Sequence, residues 1–217
     1  MPTESLIKQK IRINGIVSRL KLTYPDSRCS LHYKSSFQLL VATILSAQCT
    51  DERVNNVTIK LFDKYKEPKD FVQLPLEEIK REIYSTGFYN NKAKSIKELS
   101  IMLLDKFNGI VPDKIEEMIK LPGVGRKTAN VVLGNIFNIP SLVVDTHVTR
   151  ICNLLKFVKT KNATIIEKKM NKIVNESDWT IFAHLLIDHG RAICIANRPN
   201  CNNCVIADLC PSNKLGR

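Results

Sequence analysis

Apolar residues in this chain return every three or four positions almost everywhere, and nowhere alternate over a run long enough for a sheet. Val54, Val57, Leu61, Phe62 and Tyr65 fall on one helical face, with Thr50 placed to cap its first turn. Ala93, Ile96, Leu99, Leu103 and Phe107 repeat the pattern. So do Trp179, Phe182, Leu185, Leu186 and His189, behind a Ser177 or Asp178 cap. FQLLVATILSA, residues 37–47, is apolar on most sides, as a helix at the centre of a domain is. Only SLVVD, residues 141–145, reads as extended, and it is long enough only for a link. The expected fold is all-α, with roughly nine or ten helices of ordinary length joined by short loops. A chain of 217 residues gives one large domain or two small ones with a substantial core.

Charge narrows the partner. Lys and Arg outnumber Asp and Glu by 33 to 21, a net +12. Such a balance pairs with a polyanion, nucleic acid before an anionic membrane surface. The bland alternative is a solvated surface in a chain rich in lysine. Disorder as a whole answer is set aside by an apolar share of 44%. The start, MPTESLIKQKIRING, carries no apolar core of signal-peptide length, and the longest apolar run, residues 39–47, is too short to span a bilayer. The expectation is a cytoplasmic protein without a membrane partner. Its thiols then stay reduced, and clustered cysteines mean metal or catalysis before disulfides.

Two stretches carry chemistry. The first is EEMIKLPGVGRKTANVVLGNIF, residues 116–137. Pro122 stops one helical pattern, Gly123 and Gly125 bracket Val124, and a second pattern starts near Arg126. Glycines let the backbone approach a ligand, and N–H groups at a helix start bind anions such as a DNA phosphate. An ordinary helix–helix turn would look similar. Lys127 sits in the first turn of the second helix. The helix dipole, Arg126 and any burial would lower its pKa, in the direction of a nucleophilic amine. A solvated phosphate-binding lysine is the alternative. Asp145 precedes another helical pattern and reads as its N-cap, a position from which a carboxylate can face a developing positive charge.

The second stretch is CIANRPNCNNCVIADLC, from Cys194 to Cys210, with spacing C-x6-C-x2-C-x5-C. Four sulfurs this close, in a segment with little core of its own, read as a metal staple, iron–sulfur or zinc. Arg191 and Arg198 lie in or beside it, where they can reach phosphates. Cys29, Cys49 and Cys152 are left over and read as small core hydrophobes.

LPGVGRKTANVVL, then VVDTH, then the four cysteines resemble the endonuclease III family of DNA glycosylases with AP-lyase activity, in the helix-hairpin-helix superfamily. The resemblance covers nearly the whole chain and extends to LSAQCTD, TGFYNNKA and HGRAIC. It implies a [4Fe–4S] cluster on Cys194, Cys201, Cys204 and Cys210. It implies that Lys127 attacks C1′ of a damaged nucleotide, that a Schiff base forms, and that β-elimination cuts the strand, with Asp145 assisting. Gln48 resembles the residue that fills the gap left by the flipped nucleotide. Phe88 stands where the family's wedge is usually aliphatic, a departure that leaves a core aromatic as its alternative. Gly123, Val124, Gly125, Arg126, His147 and Arg191 are the further expected DNA contacts. The implied layout is two helical lobes with a DNA-binding cleft between them, residues 29–137 in the six-helix lobe and 1–28 with 138–217 in the cluster lobe. The implied partner is double-stranded DNA carrying an oxidised pyrimidine or an abasic site, bound by a monomer. The alternatives are a monofunctional adenine-mismatch glycosylase, which lacks the lysine, and a non-catalytic DNA-binding module with a structural metal.

Overall fold

A computed structural model describes residues 4–213. The described residues are all-helical, with no strand, as the periodicity predicts. They form α1 (Leu6–Thr23), α2 (Ser36–Leu45), α3 (Asp51–Lys64), α4 (Pro68–Gln73), α5 (Leu76–Ile83), α6 (Tyr89–Phe107), α7 (Ile115–Met118), α8 (Arg126–Ile136), α9 (Thr146–Leu154), α10 (Ala163–Met170) and α11 (Trp179–Ala192), with four short 3-10 turns. The helices beyond the expected number are short ones such as α4 and α7, of six and four residues, too brief for a period to show.

The chain divides into two compact units, Ser30–Ile139 and a second made of Met1–Cys29 with Pro140–Arg217. In the first, every residue of α2 from Phe37 to Leu45 is buried. Helices α3, α6 and α8 pack around it. The α2 helix starts where the Ser35 hydroxyl accepts the Gln38 N–H, and α3 starts where Thr50 accepts that of Arg53. In the second unit α1 buries Ile13, Ile16, Val17 and Leu20 and packs on α11. The expected Asp178 cap of α11 is not made; that carboxylate instead binds Lys21 Nζ at 2.6 Å. SLVVD is an irregular link that buries Leu142 and Val143 and delivers Asp145 to the start of α9. Among the described residues no helix is long and apolar enough to cross a membrane.

Candidate active site

The hairpin before α8 is built on two glycines that act differently. Gly123 has φ +76°, the left-handed region, and a Cβ there would lie 2.7 Å from Ser95 Cβ. Both backbone and packing demand glycine at that position. Gly125 is the N-cap of α8 with φ −90°, and a Cβ on it would meet open space. Neither conformation nor packing requires its bareness, which leaves the N–H groups of the first turn open to an approaching group. Between them Val124 is buried and anchors the turn. Arg126 and Lys127 follow in the first turn, both exposed, and that turn holds no acidic residue. Lys127 is thus a solvent-facing side chain, not a buried one.

Asp145 caps α9 and keeps a second bond. Its Oδ1 accepts the Val148 N–H at 2.8 Å, and its Oδ2 lies 3.1 Å from His147 Nδ1. The capping role and an oriented carboxylate are thus met by one side chain. His147 is in turn confined, because a Cβ on Gly190 would stand 2.7 Å from its Cδ2. Arg150 Nη2 donates to the carbonyls of Gly190 (3.2 Å) and Cys194 (2.8 Å), tying α9 to the start of the cysteine segment. Asp145 and His147 belong to the discontinuous unit, whereas Lys127 belongs to Ser30–Ile139.

Gln48 and Phe88 lie on the Ser30–Ile139 unit and share a backbone oddity. Both are non-glycine residues with positive φ, +54° and +48°, and both are exposed. Phe88 is 64% exposed, which overturns the core-aromatic alternative. Holding such residues in the left-handed region costs free energy, and it persists where the surroundings fix it. One fixing group escaped sequence reading. Lys92, 5% exposed, donates from Nζ to the carbonyls of Leu45 and Thr86 at 2.8 Å each. Its signal is present in the sequence: position 92 lies on the apolar stripe of Ile96, Leu99 and Leu103, where a charge needs partners.

The four cysteines of the 194–210 segment line one cavity of about 60 Å³, together with Ile151, Leu155, His189 and Ile206. That is room for several waters' worth of atoms, more than a single ion fills. Two 3-10 turns, Cys201–Asn203 and Ala207–Leu209, each end on a cysteine, Cys204 and Cys210. Burial pushes the Cys194 thiol up to about 11, and raises those of Cys204 and Cys210. A cationic group among them would offset that cost by stabilising thiolates. His189, 1% exposed, has Nδ1 3.2 Å from the Tyr24 hydroxyl and Nε2 3.6 Å from Cys204 Sγ. From α1, Arg12 donates to Leu209 O at 3.2 Å and Arg19 to Val205 O at 3.0 Å. Arg191 and Arg198 are exposed. Of the leftover cysteines only Cys152 is a core residue; Cys29 and Cys49 are half-buried.

Comparison with known proteins places this geometry. Residues 41–176 match the model of the HhH-GPD superfamily base excision DNA repair proteins. The chain is 46% identical over 208 residues to Endonuclease III of Synechocystis sp., covering 95% of each chain. Its structure is similar to that of a non-covalent Endonuclease III–DNA complex, with TM-score 0.89, 44% identity, and 94% of this chain and 96% of the other covered. A trapped Endonuclease III–DNA covalent intermediate gives TM-score 0.89 and 44% identity, covering 94% and 97%.

Proposed function

This chain belongs to the endonuclease III family of the HhH-GPD superfamily, and from that premise we propose that Lys127 is its nucleophile and Asp145 the carboxylate that assists it. The protein is a bifunctional DNA glycosylase and AP lyase of base excision repair. The observation that carries the residue assignment is an exposed lysine in the first turn of α8, directly behind the open Gly125. The substrate is duplex DNA carrying an oxidised pyrimidine.

The backbone N–H groups of the first turn of α8, after Gly125, hold a phosphate, with Arg126 adding positive charge, and Arg191 contacts DNA from its own unit. Gln48 and Phe88 enter the stack from which the damaged nucleotide is drawn. Lys127 Nζ, as the neutral amine, bonds to C1′ while the N-glycosidic bond breaks and its electron pair leaves with the base. The Asp145 carboxylate takes up the proton that the amine loses and faces the cationic sugar. Its capped Oδ1 fixes its direction, and His147 holds Oδ2. The nitrogen lone pair then breaks the C1′–O4′ bond, O4′ takes the proton held by Asp145, and a protonated Schiff base is left between Lys127 and C1′. Loss of a C2′ proton then expels the 3′ phosphate, and hydrolysis frees the lysine.

The cavity fits a polynuclear group, and Cys194, Cys201, Cys204 and Cys210 would hold a [4Fe–4S] cluster there. These four residues would thereby be cross-linked by the cluster, which would staple a segment with little core of its own. Cys204→Ser is expected to lower the iron and sulfide content and the broad visible absorption. A variant with full iron would remove Cys204 from the ligand set.

Borohydride trapping on a duplex with one oxidised pyrimidine tests the lysine. Wild type is expected to form a stable protein–DNA adduct, and Lys127→Ala to bind the duplex without forming one. Strand cleavage by Lys127→Ala at the wild-type rate would move the nucleophile elsewhere. Base release without any adduct from the wild-type protein would point to a monofunctional enzyme.

A further inference from the structure

The Lys92 ammonium group makes two hydrogen bonds, and both reach the loops that carry Gln48 and Phe88. Its Nζ donates to Leu45 O, the last residue of α2, at 2.8 Å. The same Nζ donates to Thr86 O, at the end of the turn before Phe88, also at 2.8 Å. Its backbone N–H makes the ordinary first-turn bond of α6, to Phe88 O at 3.1 Å, as any residue there would. Gln48 follows Leu45 by three positions and Phe88 follows Thr86 by two, and each is held at positive φ. We propose that Lys92 is the positioning residue that fixes these two side chains as one wedge, by clamping the loop behind each from a single buried ammonium group.

A plainer role would be closing α2, whose terminal carbonyls lack intrahelical partners and favour a cation. That role needs only the Leu45 carbonyl. It does not call for the second bond to Thr86, which lies in a different loop and closes no helix of eight residues or more. The same helix α6 provides an internal comparison. Lys97, five residues on, donates from Nζ to Val72 O and Leu74 O at the end of α4, where no candidate DNA contact lies. The two lysines share chemistry and helix and differ in what their carbonyls carry. Two bonds to backbone carbonyls from a side chain 5% exposed leave little freedom for either loop to move alone.

The inference rests on Gln48 and Phe88 being the inserted residues, and the test separates the two. Single-turnover rates of the full-length protein are measured on two duplexes, one with thymine glycol paired to adenine and one with an abasic site in the same place. Extruding a paired base needs the wedge, whereas an abasic site has no base to unstack. Lys92→Met is expected to lower excision relative to lyase by about tenfold or more, a small misplacement at a reacting centre costing up to about 100-fold. Lys97→Met is expected to lower the melting temperature and keep the wild-type ratio. If Lys92→Met does not fold, Lys92→Gln retains amide donors on a shorter arm and is expected to shift the ratio in the same direction. An unchanged ratio in the folded Lys92 variant overturns the proposal. If Gln48→Ala and Phe88→Ala also leave the ratio unchanged, the insertion reading itself fails. If they lower it while the Lys92 variant does not, only the positioning role is lost.

Discussion

A methyl group at position 123 meets two obstacles, a backbone at φ +76° and a Ser95 Cβ that would stand 2.7 Å away. Gly123→Ala is therefore expected to destabilise the protein by more than the roughly 1–2 kcal/mol of a left-handed alanine alone. Chemical denaturation checks this, and adding Ser95→Gly should recover the contact part and not the backbone part. The sequence announced a glycine turn here and could not say which glycine was obligatory, because that depends on Ser95, distant in the chain. Phe88 shows the same limit: one aromatic residue in TGFYNNKA suits a core or a wedge, and only its exposure decides. Cys152 is a residue whose environment predicts a pH response. Burial, with Asp145 nearby, pushes its thiol from about 9 up to about 12. The unfolded chain loses this proton first, so stability is full below pH 9 and falls as pH rises from 9 toward 12. Cys152→Ala should flatten that alkaline limb in melting temperatures measured across it.

At the scale of elements, legibility followed length and periodicity. The buried α2 and the amphipathic α3, α6 and α11 could be read from apolar spacing alone. The four-residue α7 could not, and Asp178, which does stand at the N-cap of α11, makes no capping bond because its carboxylate is drawn to Lys21 on another helix. The apolar spacing of helix α1 was not singled out in the sequence, and two of its arginines serve the cysteine segment. Arg12 also stacks over Phe157 at 4.0 Å and donates to Leu155 O at 3.0 Å. Arg12→Met removes the donor from these part-buried carbonyls and the partner of Glu4, and is expected to cost about 1–3 kcal/mol. Arg19 pairs with Asp208 at the surface, where solvent screens the bond, so Arg19→Met should cost much less. Denaturation midpoints rank the two.

For the whole molecule, net charge gave the class of partner, and the structure shows that not all of it faces outward for that use. Lys92 and Lys97 bind carbonyls, Arg12 and Arg19 brace the cysteine segment, and Lys64 pairs with Glu82 at 2.8 Å. The number of phosphate contacts should therefore fall well below the count of basic residues. Duplex affinity is expected to fall steeply with salt, with a logarithmic slope near −0.9 for each phosphate neutralised. Arg126→Ala should reduce that slope by about one, whereas Lys64→Ala should leave it unchanged. A fluorescence anisotropy series in salt measures both.

The bonds from α1 to the cysteine segment also order the protein's biosynthesis. Arg12 reaches a carbonyl 197 residues along the chain and Arg19 one 186 residues along. The braces are thus translated first and the segment they hold comes last. Ser30–Ile139 is contiguous and has all its residues before Cys194 leaves the ribosome, so it can fold during elongation. The other unit must close a very long loop, and until α11 emerges the apolar face of α1 waits uncovered. A nascent chain arrested shortly after Ile139 would already contain the hairpin, while α1 still lacked the half of its unit that covers it.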